Sequence, residues 1–374
     1  MFDVTAILAK HGIRIPTSTI RASALESVDN FGPNPGNLRM LRYVPETLAP
    51  RPALMVVLHG CTQTASAYNS GSGWSALADR YGFVLLFPEQ QRANNPNGCF
   101  NWFQPGDVRR GQGEVCSIRN MVDRCTHDHG VDKRRVFITG LSAGGAMASA
   151  MLACYPDVFA GGAIIAGLPF GAASDVRSAL QMMSQSPSRS ADNWGALVRQ
   201  ASPHPGPWPR VSVWHGGSDA TVVPANAREI VKQWTNVHGV ADTSTTSERI
   251  DGFARRAWTS VTGDEVVELY DIPGMAHGTP LATGAGDNRG GAPGPYMLEA
   301  GISSSYHIAR FFRLTDGEVR AQAARETQPS ASSSSHQPTT PNDSRSARPS
   351  GIGNIDIAAV IAKALKAAGL TRSR

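Results

Sequence analysis

The 374-residue sequence has little lysine: of 35 basic residues only five are lysine, set against 30 acidic residues, for a net charge of +5. The arginines are scattered, and no basic run is interleaved with aromatics, so there is no phosphate track with stacking platforms and no nucleic-acid partner is expected. No apolar run comes near the roughly 18 residues that a membrane span needs, so no transmembrane segment is expected and a soluble protein is. The N-terminus, MFDVTAILAKHGIRIP, lacks a cationic start, an adequate apolar segment and a small-residue cleavage site, which disfavours secretory export and favours a cytoplasmic protein. The five cysteines, Cys61, Cys99, Cys116, Cys125 and Cys154, are an odd number without zinc-like spacing. They fit a mainly reduced chain with room for one bonded pair, and neither a metal nor a cofactor is expected.

What is present is an alternation. From about residue 38 onward, strand-like runs (38–44, 53–58, 83–87, 136–139, 162–166, 211–214 and 266–272) alternate with helix-like ones (73–81, 114–129, 143–155, 224–237 and 295–313). That order builds a doubly wound, mostly parallel α/β sheet covered on both faces. A mixed helical and proline-rich segment at about 167–210 breaks the alternation, and a cap-like insertion over a site is expected there. The unit at 38–315 is therefore preceded by a lead-in at 1–37 and followed by a linker at 316–353, whose segment QPSASSSSHQPTTPNDSRSARPSG carries almost no apolar residues. At 354–374 the residues Ile357, Val360, Ile361, Ala364, Leu365 and Ala368 share one face of an amphipathic helix. The N-terminus echoes it, because Asp3 to Lys10 and Asp356 to Lys363 share the form DΦxAΦΦAK, with Φ a branched aliphatic residue. Two such short helices are marginal alone and either reflect shared use of good helix formers or dock on each other, on a partner or on an apolar surface.

The chemistry centres on Gly140-Leu141-Ser142-Ala143-Gly144, which follows the β-branched run Val136 to Thr139 and precedes a helix rich in alanine. A G-x-S-x-G turn between a buried strand and a helix holds its serine above the sheet edge. Ser142 then needs a histidine to take its proton and a carboxylate to orient that histidine, in the chain order serine, acid, histidine. Asp219 lies in HGGSDATVVP, just after the strand-like Val211 to Trp214, and His277 lies in PGMAHGTP, just after Val266 to Ile272. These two are the expected acid and base. Asp251, Asp264 and Asp271 compete less well as acids, and His238 and His307 compete less well as bases, because none sits on a loop directly after a strand. The oxyanion of the tetrahedral intermediate needs two donors, expected from the backbone N–H groups of Ala143 and of Cys61 in LHGCTQ, with His59 bracing that loop. His215-Gly216-Gly217 imitates an oxyanion motif, but it follows the serine and abuts the acid. Cys125-Thr126-His127-Asp128-His129 has ligand-capable side chains but closes a presumed helix with no second ligand group nearby.

Together the stretches LHGCTQTA, YGFVLLFPEQ, CFNWF, RRGQGEV, RVFITGLSAGGAMA, YPDVFAGGAIIAGLPFG, HGGSDATVVP, GMAHGTPL and GPYMLEAGISSSYHIARFF resemble the poly(3-hydroxybutyrate) depolymerase family of esterases, with an α/β-hydrolase fold, over roughly residues 40–313. The resemblance implies the nucleophile at Ser142, the acid at Asp219, the base at His277 and an oxyanion donor at Cys61. It further implies a disulfide between Cys61 and Cys99, and a place for Trp102 either near a substrate groove or in the core. The implied substrate is a polyester, or alternatively a feruloyl or acetyl ester of carbohydrate. A third reading, from another class, is a non-catalytic granule-surface or scaffold protein on an inactive hydrolase fold. Without the spacer and binding modules of exported depolymerases, the resemblance points to a cytoplasmic enzyme held on a polymer granule by its C-terminal helix, with an extracellular enzyme as the alternative.

Overall fold

The computed structural model describes residues 25–317. The helices expected at the N-terminus and at 354–374, and the expected linker from residue 318 onward, lie outside the described residues. Ten strands form one sheet: β1 (Glu26–Val28), β2 (Arg39–Tyr43), β3 (Leu54–Leu58), β4 (Val84–Glu89), β5 (Val136–Leu141), β6 (Gly161–Ile165), β7 (Arg210–Gly216), β8 (Thr246–Ile250), β9 (Phe253–Thr259) and β10 (Glu265–Ile272). Their order is β1-β2-β4-β3-β5-β6-β7-β10-β9-β8. The six from β4 to β10 in that order run parallel, while β1, β2, β8 and β9 add antiparallel edges. A separate parallel pair joins β11 (Thr279–Leu281) to β12 (Met297–Glu299).

The central strands are buried on both faces, and their side chains divide by alternation between two layers. Leu54, Val56 and Leu58 of β3 join one core, with α3 (Gly113–His129), α4 (Ala143–Cys154) and α7 (Ala225–His238). Met55 and Val57 join the other, with α1 (Ala65–Ser72), α2 (Trp74–Tyr81) and α8 (Ser304–Phe311). Each such fully buried side chain contributes about 1.5–3 kcal/mol relative to exposure. Every residue of α4 is buried, so this helix is apolar on all sides instead of amphipathic.

The strand order reverses around β3: the chain passes from β3 to β4 on one side and later returns to place β5 on the other. The loops leaving β3 and β5 therefore diverge and leave a crevice between them at the carboxyl ends of the strands. This is where the fold puts its site.

Several elements differ from the sequence expectation. The region 295–313 is not one helix, because Met297–Glu299 pairs with β11 and the helix starts only after Ser303, whose Oγ accepts from Tyr306 N at 3.3 Å. Strands β8 and β9 were not expected, since Arg255 on β9 faces inward and meets Glu268 of β10 at 2.8 Å where an apolar pair would have marked a strand. The insertion contains two helices, α5 (Val176–Gln185), with a capping box at Asp175, and α6 (Ala191–Gln200), capped by Ser190.

Candidate active site

Ser142 sits between β5 and α4 with φ 59° and ψ −118°, a strained conformation for a residue with a β-carbon. The turn is possible because its flanks are glycine. A β-carbon on Gly140 would lie 2.3 Å from the carbonyl oxygen of Gly144, and one on Gly144 would lie 2.5 Å from that of His59. Strand β5, helix α4 and the loop after β3 thus meet backbone to backbone. Ser142 N–H donates to Ile165 O at 2.9 Å, which fastens the turn to the neighbouring strand.

Beside it runs the loop after β3. Its Gly60 N–H donates to Gln63 Oε1 at 2.9 Å and its Thr62 N–H to Asn97 O at 2.7 Å, while Cys61 N–H between them has no acceptor among the described residues. Ala143 N–H, at the first position of α4, is likewise unbonded there. His59 braces the loop: its Nδ1 lies 2.8 Å from Gly60 O and its Nε2 accepts from Gln90 N at 3.1 Å, and burial pushes its pKa down. That leaves it no proton-transfer role. Cys61 and Cys99 form a disulfide, with 4.2 Å between their α-carbons, while Cys116, Cys125 and Cys154 are free.

The acid and base loops leave β7 and β10, which are parallel neighbours, and are stitched together. Gly217 N–H donates to Ile272 O at 2.9 Å and Ser218 N–H to Met275 O at 3.0 Å. His277 Nδ1 then meets Asp219 Oδ2 at 2.7 Å, although 58 residues separate them. Asp219 Oδ1 accepts the backbone N–H groups of Thr221 at 2.8 Å and Val222 at 2.9 Å. Burial alone would raise the Asp219 pKa, but the hydrogen bonds from His215 and His277 hold the carboxyl well below the usual carboxylate range. Asp219 is the ionised group that a neighbouring imidazole needs.

A small cavity of about 30 Å³ brings these loops together, lined by Gly60, Cys61, Leu141, Ser142, Met183, Thr221, His277 and Tyr296. Ser142 and His277 face the same space, and apolar walls surround them. Met183 comes from α5, so the insertion does reach the site, and Val223 N–H fixes it there by donating to Met183 O at 2.8 Å. Tyr296 stands edge-on to His277 with ring centres 6.2 Å apart, in its own strained conformation with φ 63°, and its side chain bonds Thr62. Sequence reasoning singled out neither Met183 nor Tyr296, although Tyr296 lies in the family-like stretch GPYMLEAG, because packing brings each to the site.

The rivals lie elsewhere. Asp251 pairs with His307 Nε2 at 2.8 Å, Asp271 with Arg256 at 2.8 Å, and Asp264 accepts from Thr262. His238 bonds Pro209 O, and burial pushes its pKa down to about 4. In the 125–129 cluster Asp128 is taken by Arg42 and Arg124. Trp102 is 8% exposed, packs in the core edge-on to Phe103, and is not among the cavity's lining residues.

The chain is similar to known ester hydrolases. Residues 39–258, which include Ser142 and Asp219, match the family described as esterase PHB depolymerase. The chain is 48% identical to the poly(3-hydroxyalkanoate) depolymerase C of Paucimonas lemoignei, over 81% of this chain and 73% of that one. It is 34% identical to the feruloyl esterase B of Neurospora crassa, over 72% of this chain and 93% of that one. Among solved structures, an acetyl xylan esterase from Aspergillus awamori superposes with a TM-score of 0.63 at 28% identity, covering 68% of this chain and 94% of that one. The chain belongs to the esterase PHB depolymerase family, carboxylic ester hydrolases on the α/β-hydrolase fold.

Proposed function

We propose that the protein is a serine esterase that depolymerises a polyhydroxyalkanoate through an acyl-enzyme, with Ser142, His277 and Asp219 as its triad. The observation that carries the reading is one cavity into which Ser142 opens beside a histidine already bonded at 2.7 Å to a buried carboxylate. Ser142 Oγ attacks the ester carbonyl while His277 Nε2 takes its proton, and Asp219 holds the resulting imidazolium in place. Negative charge then gathers on the carbonyl oxygen, where the free N–H groups of Cys61 and Ala143 stabilise it. His277 returns the proton to the leaving alcohol, and water, activated by the same imidazole, releases the acid.

The higher identity to the depolymerase than to the feruloyl esterase favours a polyester. So does the lining of Leu141, Met183 and Tyr296, which suits an uncharged, moderately apolar chain and offers no cationic clamp. The likeness to an acetyl xylan esterase structure keeps a carbohydrate-linked ester as the second reading. Clearing of amorphous polyhydroxybutyrate without release of ferulate from its methyl ester supports the first, and the opposite outcome supports the second. Ser142→Ala should abolish both p-nitrophenyl butyrate hydrolysis and labelling by a fluorophosphonate; retained turnover in a folded variant refutes the mechanism, and a wild-type chain that the probe fails to label revives a non-catalytic scaffold.

The C-terminal segment 354–374, whose sequence places Ile357, Val360, Ile361, Ala364, Leu365 and Ala368 on one helical face, holds the enzyme on the polymer granule. A chain ending at residue 351 that still co-sediments fully with polymer granules would refute this. The Cys61–Cys99 disulfide favours an oxidising compartment and hence the extracellular placement over the cytoplasmic one.

A further inference from the structure

We infer that His215 is a positioning residue for the acid: its ring N–H locks the Asp219 carboxylate in the plane that His277 requires. The inference rests on the triad reading above. His215 is the next-to-last residue of β7 and is 1% exposed. Its Nε2 lies 2.8 Å from Val222 O and 3.4 Å from Asp219 Oδ2. A carbonyl oxygen only accepts, so Nε2 carries the hydrogen and gives it to Val222 O, while the carboxylate oxygen lies beside it as a longer, electrostatic partner.

These contacts close a ring. Val222 N–H donates to Asp219 Oδ1, Val222 O accepts from His215, and His215 leans on Asp219 Oδ2. One carboxylate oxygen is held by two backbone N–H groups, and the other lies between two imidazoles, one at the end of β7 and one on the loop after β10. Rotation of the carboxylate about its Cβ–Cγ bond would break contacts on both sides. The opposite edge of the ring supports this assignment: His215 Nδ1 is buried and has no hydrogen-bond partner among the described residues. A residue serving packing alone could be apolar here and would leave no buried lone pair unmet. His215 carries that cost for the sake of its other nitrogen. The HGG stretch that imitates an oxyanion motif in the sequence thus serves the acid instead.

Glutamine and asparagine separate the two nitrogens, because the glutamine amide reaches the place of Nε2 and the asparagine amide stops at the place of Nδ1. His215→Leu and His215→Asn should each lower kcat for p-nitrophenyl butyrate by about ten- to a hundred-fold with KM unchanged, the scale expected of a displaced catalytic group. His215→Gln should recover most of that loss. In proton NMR the far-downfield resonance of the His277–Asp219 hydrogen bond should broaden or vanish in the Leu and Asn variants and persist in the Gln variant. If the Leu variant fails to fold, the Asn and Gln pair carries the same comparison. Wild-type kcat in folded His215→Asn, or equal losses in Asn and Gln with the downfield proton present in both, overturns the inference. Asp219→Asn separates the levels: full turnover in that variant refutes the triad, whereas an inactive Asp219→Asn beside a fully active His215→Asn refutes only the role of His215.

Discussion

Replacing Gly216 by alanine should slow ester hydrolysis about a hundred-fold while the protein still folds. A β-carbon there would sit 2.3 Å from the carbonyl oxygen of Met275 and 2.6 Å from that of Ala276, about 1 Å inside ordinary contact. Both are backbone atoms and cannot swing aside, so the loop carrying His277 must retreat by about that distance. The bonds Gly217 N–H to Ile272 O and Ser218 N–H to Met275 O resist the shift and would be strained by it. A retreat of about 1 Å stretches the His277–Asp219 contact from 2.7 Å to beyond hydrogen-bond range. Misplacement on that scale costs about a hundred-fold in rate, or about 2.7 kcal/mol of transition-state stabilisation. The added methyl costs about 1–3 kcal/mol of stability besides. The assay is kcat/KM on p-nitrophenyl butyrate at a temperature where circular dichroism shows the variant folded, alongside its rate of fluorophosphonate labelling. A folded Gly216→Ala protein with wild-type kcat/KM would refute the view that close approach of these two loops sets the geometry of the acid and base.

Two further outcomes concern the side of the site that carries the Cys61 loop. Burial, with the nearby Asp107 adding to it, pushes the pKa of Glu114 up to about 8, and its side chain accepts from Gln90 Nε2 and from Asn101 N behind the Cys61 loop. A raised carboxyl favours the folded state below its unfolded pKa of about 4.3 and loses that contribution as pH climbs toward about 8. The melting temperature should therefore fall from pH 5 to pH 8, with a flatter profile for Glu114→Gln; equal slopes refute the assignment. Cys99→Ser opens a loop of 38 residues and should cost roughly 2–4 kcal/mol in denaturant unfolding, together with part of kcat as the Cys61 donor loosens. Unchanged kcat would show that the bond stabilises the chain without ordering that donor.

The parts of the molecule whose signal is local are legible along the chain. The runs Leu54–Leu58, Val84–Glu89 and Val136–Leu141 are apolar enough to be fully buried strands, and they are. Gly140 and Gly144 are readable as the flanks of a sharp turn because only glycine lets three backbones meet there. Ser142, Asp219 and His277 follow buried strands in the order this fold imposes, so their convergence at one sheet edge is a matter of topology. What depends on contacts between distant residues became visible only in the folded chain. Arg255 buried against Glu268 makes β9 a strand that no apolar alternation announces. Met183 reaches the cavity only because the insertion docks on the acid loop, and Tyr296 only because β12 pairs with β11 and ends the helix that periodicity extends through it. His215 looks like part of an oxyanion motif until folding sets its ring beside Asp219. Periodicity and turn chemistry act over a few residues and are written in order along the chain, whereas a hydrogen bond or a cavity wall is fixed by packing, which brings together residues whose sequence neighbours carry no trace of each other.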